Sequence, residues 1–447
     1  MPTILGGARE WIAHLTELVL VWIAVLAMTS LVFRFGWDRA HAITGALMLV
    51  AIAPFMPMAS TAMPDILATA LSLVAMERLA AWKAEQKWSQ GAAAAGALGL
   101  AGFARPHLIL LFPLAVLYLF DSAQPKEFIG QFRRRPWLWL PVLAGLAIAE
   151  SVIAVTREHS LAPQPLPVLT GLQSINFNVC AYMLYLVFPL PLGLCWFANR
   201  LKTRRWRGVI IATVAAGGAF FIHPWLVTFF AFAGFGMIID LLFEALDKAE
   251  HTELFLMFWL LIPAPIVIYV HLPMKYLLPC MPAVILLCFR LMEGFSVRFL
   301  RAAAIAFIVA STGYSVLILR SDAEFAWFGR NAMYQLIQPH VEAGEPVWFQ
   351  GQVSANWYAP LAGAKMTYVG GPQPKPGDLL VVGLYEVGDD LILPRFPHRT
   401  LVEVITHKYR FGRTMGAGVG LYSNRLGYWL WGFGESPDDR YELWRID

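Results

Sequence analysis

The chain has 447 residues, of which 58% are hydrophobic and 14% charged, and its net charge at pH 7 is +4. Soluble globular chains carry about 25% charged residues, so this composition excludes an ordinary soluble protein. The small net charge, divided among loops, provides no basic surface for a nucleic acid. The cysteines lack the spacing of a metal site or a disulfide framework, and we expect no metal.

Apolar runs recur along the first 320 residues. A membrane-spanning helix needs roughly 17–25 mainly apolar residues. We therefore predict about twelve spans, near 14–33, 41–58, 64–82, 91–104, 107–121, 137–155, 181–198, 208–223, 225–246, 254–271, 276–292 and 301–319. The sequence predicts an α-helical polytopic membrane protein whose transmembrane domain covers residues 1–319.

The basic residues divide unevenly between alternate connections of these spans. One set of loops holds most of them, for example Arg34, Arg78 and Arg204. The opposite set, before residue 320, holds only Arg9, Arg105, Arg157 and Lys275. Retained loops carry the positive charge, so the basic side is expected to be cytoplasmic in a plasma (inner) membrane.

Residues 320–447 contain no further apolar span and are predicted to form a small extracytoplasmic α/β domain. A helix is predicted over Phe325–Val341. Short β-rich runs separated by Gly, Pro and Asp turns follow it. These runs are Pro346–Gln350, Met366–Val369, Leu379–Leu384, Leu401–Thr406 and Tyr441–Ile446.

Ionisable residues at the outer ends of spans are the candidates for chemistry, because burial there is costly without a partner or substrate. Asp65 follows Pro64 at the predicted start of the third span, where a helix N-terminus stabilises a carboxylate. It is either an acid of the catalytic site or a helix-capping residue. Arg105 interrupts an apolar stretch, and it either binds a lipid phosphate or extends to the interface as an anchor. His107 is expected to support this turn rather than to transfer protons, and we include it among the substrate-binding candidates.

Two further outer connections contain substrate-binding candidates. Lys275 offers a point charge to a phosphate, and Tyr276 can stack or hydrogen-bond at the level of lipid headgroups. Anchoring of the chain at the membrane interface is the alternative for both. Arg157 and His159 lie in the longest outer loop, which either lines a substrate groove or only connects two spans.

Three segments resemble those of polyprenyl-phosphate-sugar-dependent glycosyltransferases. MASTAMPDILATALSLVAMERLAAW resembles their segment in which an Ala-Leu-Pro-Asp-type motif opens a span. Their Gly-rich helix, basic outer turn and returning helix are similar to the second segment, AGFARPHLILLFPLAVLYL. Their Arg/Lys-Tyr-Leu-Leu-Pro segment resembles the third, MKYLLPCMPAVILL. The order matches the superfamily of protein O-mannosyltransferases and lipid A aminoarabinose transferases.

The resemblance implies a membrane glycosyltransferase with an outward-facing active site and a polyprenyl-phosphate-linked sugar as donor. The acceptor would be a lipid, a glycan or a protein, membrane lipids would surround the chain, and neither a cofactor nor nucleic acid would be needed. On this scheme Asp65 is an acid of the site, and Arg105 and Lys275 bind the departing phosphate. The absence of a Gly-rich dinucleotide fingerprint agrees with it.

The resemblance also implies a principal acid in an outer loop after a first helix, and this chain starts downstream of that point. Glu10 and Glu17, the acids of the N-terminal segment, do not reproduce the acid pair of the family. We therefore expect about 60–100 further residues upstream, with one span of roughly 20 residues. If the 447 residues are active alone, another carboxylate, such as Glu10 or Glu158, would serve as the base.

Two other functions fit parts of the sequence. A transporter is the main alternative, because twelve spans are common in transporters. Against it stand the large C-terminal domain and the lack of a visible correspondence between the halves of the chain, which transporters commonly show. A catalytically degenerate membrane subunit is the third hypothesis.

Overall fold

The computed structural model describes residues 10–119 and 172–447, apart from residue 62 and short internal stretches at 222–223, 249–250, 270, 352–353, 368–370, 386–392, 417 and 435–438. The described chain divides into two compact units, and the boundary falls between Ser315 and Val316. The predicted domain boundary, between residues 319 and 320, lies four residues further along the chain. The predicted span at 137–155 lies outside the described residues.

The first unit is built from helices. In chain order they are α1 (Glu10–Arg34), α2 (Arg39–Ala51), α3 (Phe55–Ala59), α4 (Pro64–Glu85), α5 (Trp88–Ala104), α6 (Leu111–Leu119), α7 (Leu172–Val187), α8 (Leu192–Thr203), α9 (Arg205–Phe221), α10 (Trp225–Lys248), α11 (His251–Leu260), α12 (Met281–Met292) and α13 (Val297–Glu342). Short 3-10 helices at Pro106–Leu110, Ala264–Ile268 and Met274–Cys280 connect some of them. Helix α13 continues into the second unit.

The chain is a helical membrane protein, although the described residues do not contain the predicted number of spans. Five helical segments are long and apolar enough to cross a bilayer, and a sixth results if the bent pair α7 and α8 counts as one span. The difference has a physical cause: several apolar runs form helices that are too short. Helix α2 has 13 residues and α5 has 17, and the run after Arg105 begins as a 3-10 helix.

Helices α1 and α4 pack against each other and run in the same direction. At one end, Ser30 Oγ donates a hydrogen bond to Glu77 Oε1 at 2.7 Å, and Arg34 Nη1 donates to Glu85 Oε1 at 2.9 Å. Sequence positions therefore advance together along the two helices. Asp65 lies near the opposite end of α4, about 18 Å from Glu77 at 1.5 Å per residue.

The second unit contains a five-stranded sheet made of β1 (Val347–Gln350), β2 (Lys365–Met366), β3 (Leu379–Gly383), β4 (Arg399–His407) and β9 (Asp439–Ile446). The order of the strands in the sheet is β2-β1-β3-β9-β4. Strand β1 is parallel to β2 and β3, whereas β9 is antiparallel to β3 and β4. Strands are confirmed in four of the predicted regions, with small shifts at their ends. The fifth predicted run, Met366–Val369, overlaps β2 only at Met366, and residues 368–369 lie outside the described residues.

Other elements of this unit are short. They are helix α14 (Ala355–Leu361) and strands β5 (Gly412–Arg413), β6 (Met415–Gly416), β7 (Val419–Gly420) and β8 (Gly432–Phe433). The C-terminal part of α13 packs against one face of the large sheet, where Phe328, Leu336, Phe349 and Val381 belong to one apolar core.

The prediction of a separate helix over Phe325–Val341 is wrong in its start, because α13 is continuous from Val297 to Glu342. The polar residues after Leu319 end the apolar run without ending the helix. Ser321 Oγ accepts a hydrogen bond from Trp431 Nε1 at 2.9 Å, and Asp322 Oδ2 accepts one from Tyr422 OH at 2.6 Å. These buried hydrogen bonds satisfy polar groups that would otherwise be costly inside a fold.

Gly329 marks a close approach of α13 to its surroundings in the second unit. A Cβ atom there would lie 2.5 Å from Ser354 Cβ and 2.9 Å from Tyr441 OH. We therefore expect Gly329→Ala to lower the free energy of unfolding by about 1–3 kcal/mol, measured by thermal or denaturant unfolding of the full chain in detergent. Gly313→Ala is the matched control, because a Cβ at Gly313 meets no atom of the described residues within 4 Å. Equal stability of both variants would contradict this packing.

Candidate functional site

Asp65 and Arg105 form an ion pair in the first unit, in which Asp65 is buried and Arg105 is partly buried. Asp65 lies in the first turn of α4, after Pro64, and its residue is 2% exposed. Arg105 follows the end of α5, and its Nη2 donates to Asp65 Oδ1 and Oδ2, both at 2.7 Å. Met63, rather than Asp65, occupies the N-cap position. Both carboxylate oxygens of Asp65 therefore hold the guanidinium.

Tyr276 extends this pair into a cluster. The Arg105 guanidinium carbon lies 4.9 Å from the centre of the Tyr276 ring, a cation–π contact. The ring of His107 lies 6.0 Å from the same ring, and His271 Nε2 lies 3.2 Å from the Tyr276 hydroxyl oxygen. The Arg105 side chain is 19% exposed and contacts Asp65 and Tyr276.

Lys275 is buried beside this cluster, on the 3-10 helix Met274–Cys280. The residue is 7% exposed, and its Nζ lies 3.3 Å from Met63 Sδ and 6.0 Å from the Tyr276 ring centre. Met63 immediately precedes α4, so Lys275 lies next to the helix end that carries Asp65. A buried ammonium is unlike a lysine that extends into water to anchor a helix end.

The site has buried polar atoms that no hydrogen bond satisfies within the described part of the chain. They are Arg105 Nε, His107 Nε2 and Glu17 Oε2. Buried polar groups are hydrogen-bonded in the large majority of native structures, so each exception requires an explanation. Arg105 and His107 belong to the cluster around Asp65, and Glu17 lies within electrostatic range of Asp65. Unsatisfied atoms of this kind are a feature of sites that bind a polar ligand.

The structure thus brings together five of the predicted site residues: Asp65, Arg105, His107, Lys275 and Tyr276. Arg157 and His159 lie outside the described residues, as does Glu158. Over the described ranges, no group of three His, Cys, Asp or Glu side chains is arranged to hold a metal ion.

Sequence reasoning did not assign Glu17 to the site. The residue is 7% exposed on α1, and its carboxyl group lies within electrostatic range of that of Asp65. Its only signal in the sequence is an acid inside an apolar span, a feature that by itself suggests function. The parallel register of α1 and α4, which brings it to Asp65, becomes visible only in the structure.

Comparison of the chain with protein-family models, with curated proteins and with solved structures finds no match in any of the three.

Proposed function

We propose that this chain is a membrane glycosyltransferase that moves a sugar from a polyprenyl-phosphate donor to a lipid, glycan or protein acceptor at the outer face of the membrane. One observation carries the proposal. The three segments that resemble such enzymes supply Asp65, Arg105 and the Lys275-Tyr276 pair, and these residues form one cluster in which Asp65 and Lys275 are buried.

The cluster suits the phosphate of a lipid-linked donor. Arg105 offers its unpartnered Nε–H, and Lys275 adds a second positive charge 6.0 Å from the centre of the Tyr276 ring. Charge-assisted hydrogen bonds stabilise the negative charge that develops on the departing polyprenyl phosphate. Asp65 acts through Arg105: it keeps the guanidinium in one orientation while Tyr276 covers one face. Asp65 is therefore a positioning residue in this proposal.

The proposal includes a membrane orientation. The shorter apolar helices occur near predicted spans, so we keep the prediction of about twelve crossings, with residues 1–319 in the membrane and residues 320–447 outside the cytoplasm. Membrane lipids then surround the first domain, and the cluster lies at the outer side.

Release of polyprenyl phosphate tests the activity whichever sugar and acceptor the chain uses. The purified chain, in lipid nanodiscs, is incubated with polyprenyl-phosphate sugars and membrane acceptors extracted from its source organism. Mass spectrometry should show conversion of the donors to polyprenyl phosphate and a matching gain of sugar on an acceptor. Binding of undecaprenyl phosphate without any conversion of the donors would favour the degenerate subunit. The absence of both binding and conversion would contradict the proposal.

Cysteine labelling tests the orientation. The four native cysteines are replaced, and Gly371→Cys and Arg204→Cys are introduced one at a time. A membrane-impermeant maleimide added to intact cells should label Gly371→Cys and should leave Arg204→Cys unlabelled until the membrane is opened. The reverse pattern would overturn the assignment of the basic side to the cytoplasm.

A transporter is the second candidate because of a different part of the first unit. Helices α7 and α8 are bent by 64° at their break, and broken helices commonly form transporter substrate sites. An apolar cavity of about 670 Å³ borders this break. Nearby, Arg200 is buried with Asp240, whose Oδ2 accepts its Nε–H at 2.5 Å. Uptake of undecaprenyl phosphate into vesicles that contain the chain tests this alternative. Loss of uptake in Arg200→Met, with normal uptake in Arg105→Met, would favour a transporter.

A further inference from the structure

Glu17 differs from the other buried acids of the first unit. Glu77 accepts a hydrogen bond from Ser30 at 2.7 Å and lies 3.5 Å from Arg34, and Asp240 accepts hydrogen bonds from two arginines and a tryptophan. Glu17 is buried to a similar degree, yet its Oε2 has no hydrogen-bond partner among the described residues.

The register of two helices places Glu17 at the cluster. Ser30 on α1 contacts Glu77 on α4, and these positions are 47 residues apart. Glu17 and Asp65 are 48 residues apart and lie 13 and 12 residues before that contact on the same parallel helices. Their carboxylates are within electrostatic range of each other. Glu17 therefore lies at the Asp65 end of the helix pair.

An acid without a partner inside an apolar helix destabilises the fold, because its desolvation is not offset by a hydrogen bond. The neighbouring unsatisfied groups show what a ligand would have to offer. Arg105 Nε–H requires an acceptor such as a phosphate oxygen, and Glu17 Oε2 requires a donor such as a hydroxyl group. A lipid-linked phosphosugar beside a hydroxyl-bearing acceptor presents both.

We propose that Glu17 is the general base that activates the acceptor, an inference that rests on the proposed glycosyltransferase function. Its carboxylate takes the proton of the acceptor hydroxyl while the acceptor oxygen forms a bond to the anomeric carbon. The bond between that carbon and the phosphate oxygen breaks, and the electron pair leaves on polyprenyl phosphate next to Arg105. The products are the glycosylated acceptor, polyprenyl phosphate and protonated Glu17.

Asp65 is less suited to this role, although it is the other buried acid of the site. Both of its oxygens accept hydrogen bonds from Arg105 Nη2. Proton uptake by Asp65 would break the ion pair that orients the guanidinium. Glu17 has an oxygen that takes a proton without the loss of such a contact.

Glu17→Gln tests the role with almost no change of shape. Undecaprenyl phosphate binding to the full chain in nanodiscs should stay within twofold of the unaltered protein. Single-turnover release of polyprenyl phosphate from extracted donors should fall by about 100- to 10,000-fold, the range for loss of a general base. Glu85→Gln is the matched control: it removes the same charge at the opposite end of the same helix pair, and both quantities should stay within twofold.

The outcomes separate this inference from the proposed function. Release by Glu17→Gln at the rate of the unaltered chain would overturn the role of Glu17 and leave the transferase intact. Absence of both binding and release in the unaltered chain would overturn the transferase itself. If Glu17→Gln does not fold, Glu17→Asp replaces it, because it keeps the carboxylate and withdraws it by one methylene. Glu17→Asp should then bind undecaprenyl phosphate normally and release polyprenyl phosphate about 100-fold more slowly. An unchanged rate of release would overturn the inference.

Discussion

Replacement of Arg105 by methionine should weaken binding of undecaprenyl phosphate to the purified chain by about 10- to 150-fold. This range corresponds to the loss of about 1.5–3 kcal/mol from one hydrogen bond to a charged group. Methionine keeps much of the apolar stem and removes the guanidinium that lies between Asp65 and Tyr276. Microscale thermophoresis or calorimetry on the chain in nanodiscs measures the affinity.

Arg298→Met is the control for the loss of one positive charge, because Arg298 is exposed near the start of α13. Its affinity for undecaprenyl phosphate should equal that of the unaltered chain. The affinity of Arg105→Lys should lie between those of Arg105→Met and Arg298→Met. The lysine ammonium keeps the positive charge but lacks the planar guanidinium that contacts Asp65. Equal affinity of all four proteins would mean that Arg105 only anchors the helix end.

Asp65→Asn should reduce release of polyprenyl phosphate by more than about 100-fold and should also destabilise the fold. The amide keeps the shape of the side chain but leaves the partly buried Arg105 charge without its counterion. Removal of one partner of a buried ion pair costs about 3–5 kcal/mol. The rate of release falls because the Arg105 guanidinium is misplaced and no longer contacts the leaving oxygen. Such misplacement lowers a rate by about 100-fold. Denaturant unfolding and single-turnover release measure the two effects.

The double variant Asp65→Asn/Arg105→Met separates stability from activity. Without either charge, no uncompensated ion stays buried, so the double variant should unfold at higher denaturant concentration than Asp65→Asn alone. Its release of polyprenyl phosphate should stay as low as in the single variants. Normal turnover in Asp65→Asn would contradict the role of the ion pair.

The site could be predicted from the sequence to a considerable extent. Asp65, Arg105 and Lys275 are ionisable residues at the ends of apolar runs, and burial of such groups is costly enough to mark them individually. Their mutual contacts could not be predicted, because the pairing of Asp65 with Arg105 joins positions 40 residues apart. Nor could the role of Glu17 be predicted, since it depends on the register of α1 against α4.

The fold shows the same division between local and tertiary information. The strands β1, β3, β4 and β9 follow from β-branched and aromatic runs between turn residues, which are local signals. Beyond Arg320, residues of α13 accept hydrogen bonds from residues distant in sequence, for example from Tyr422 to Asp322, and such tertiary contacts are not visible in the local sequence. The described long helices are fewer than the predicted spans because hydropathy measures the length of apolar runs, and not whether a run such as 41–58 folds as one helix.

The central claim is that the cluster of Asp65, Arg105, Lys275 and Tyr276 binds the phosphate of a polyprenyl lipid. Cryo-electron microscopy of the full chain in nanodiscs with undecaprenyl phosphate tests it most directly. We expect phosphate density within hydrogen-bond distance of Arg105 Nε and close to Lys275 Nζ, with Glu17 facing the side open to an acceptor. Phosphate density bound elsewhere, with the Asp65–Arg105 pair unchanged and no ligand beside it, would contradict the account.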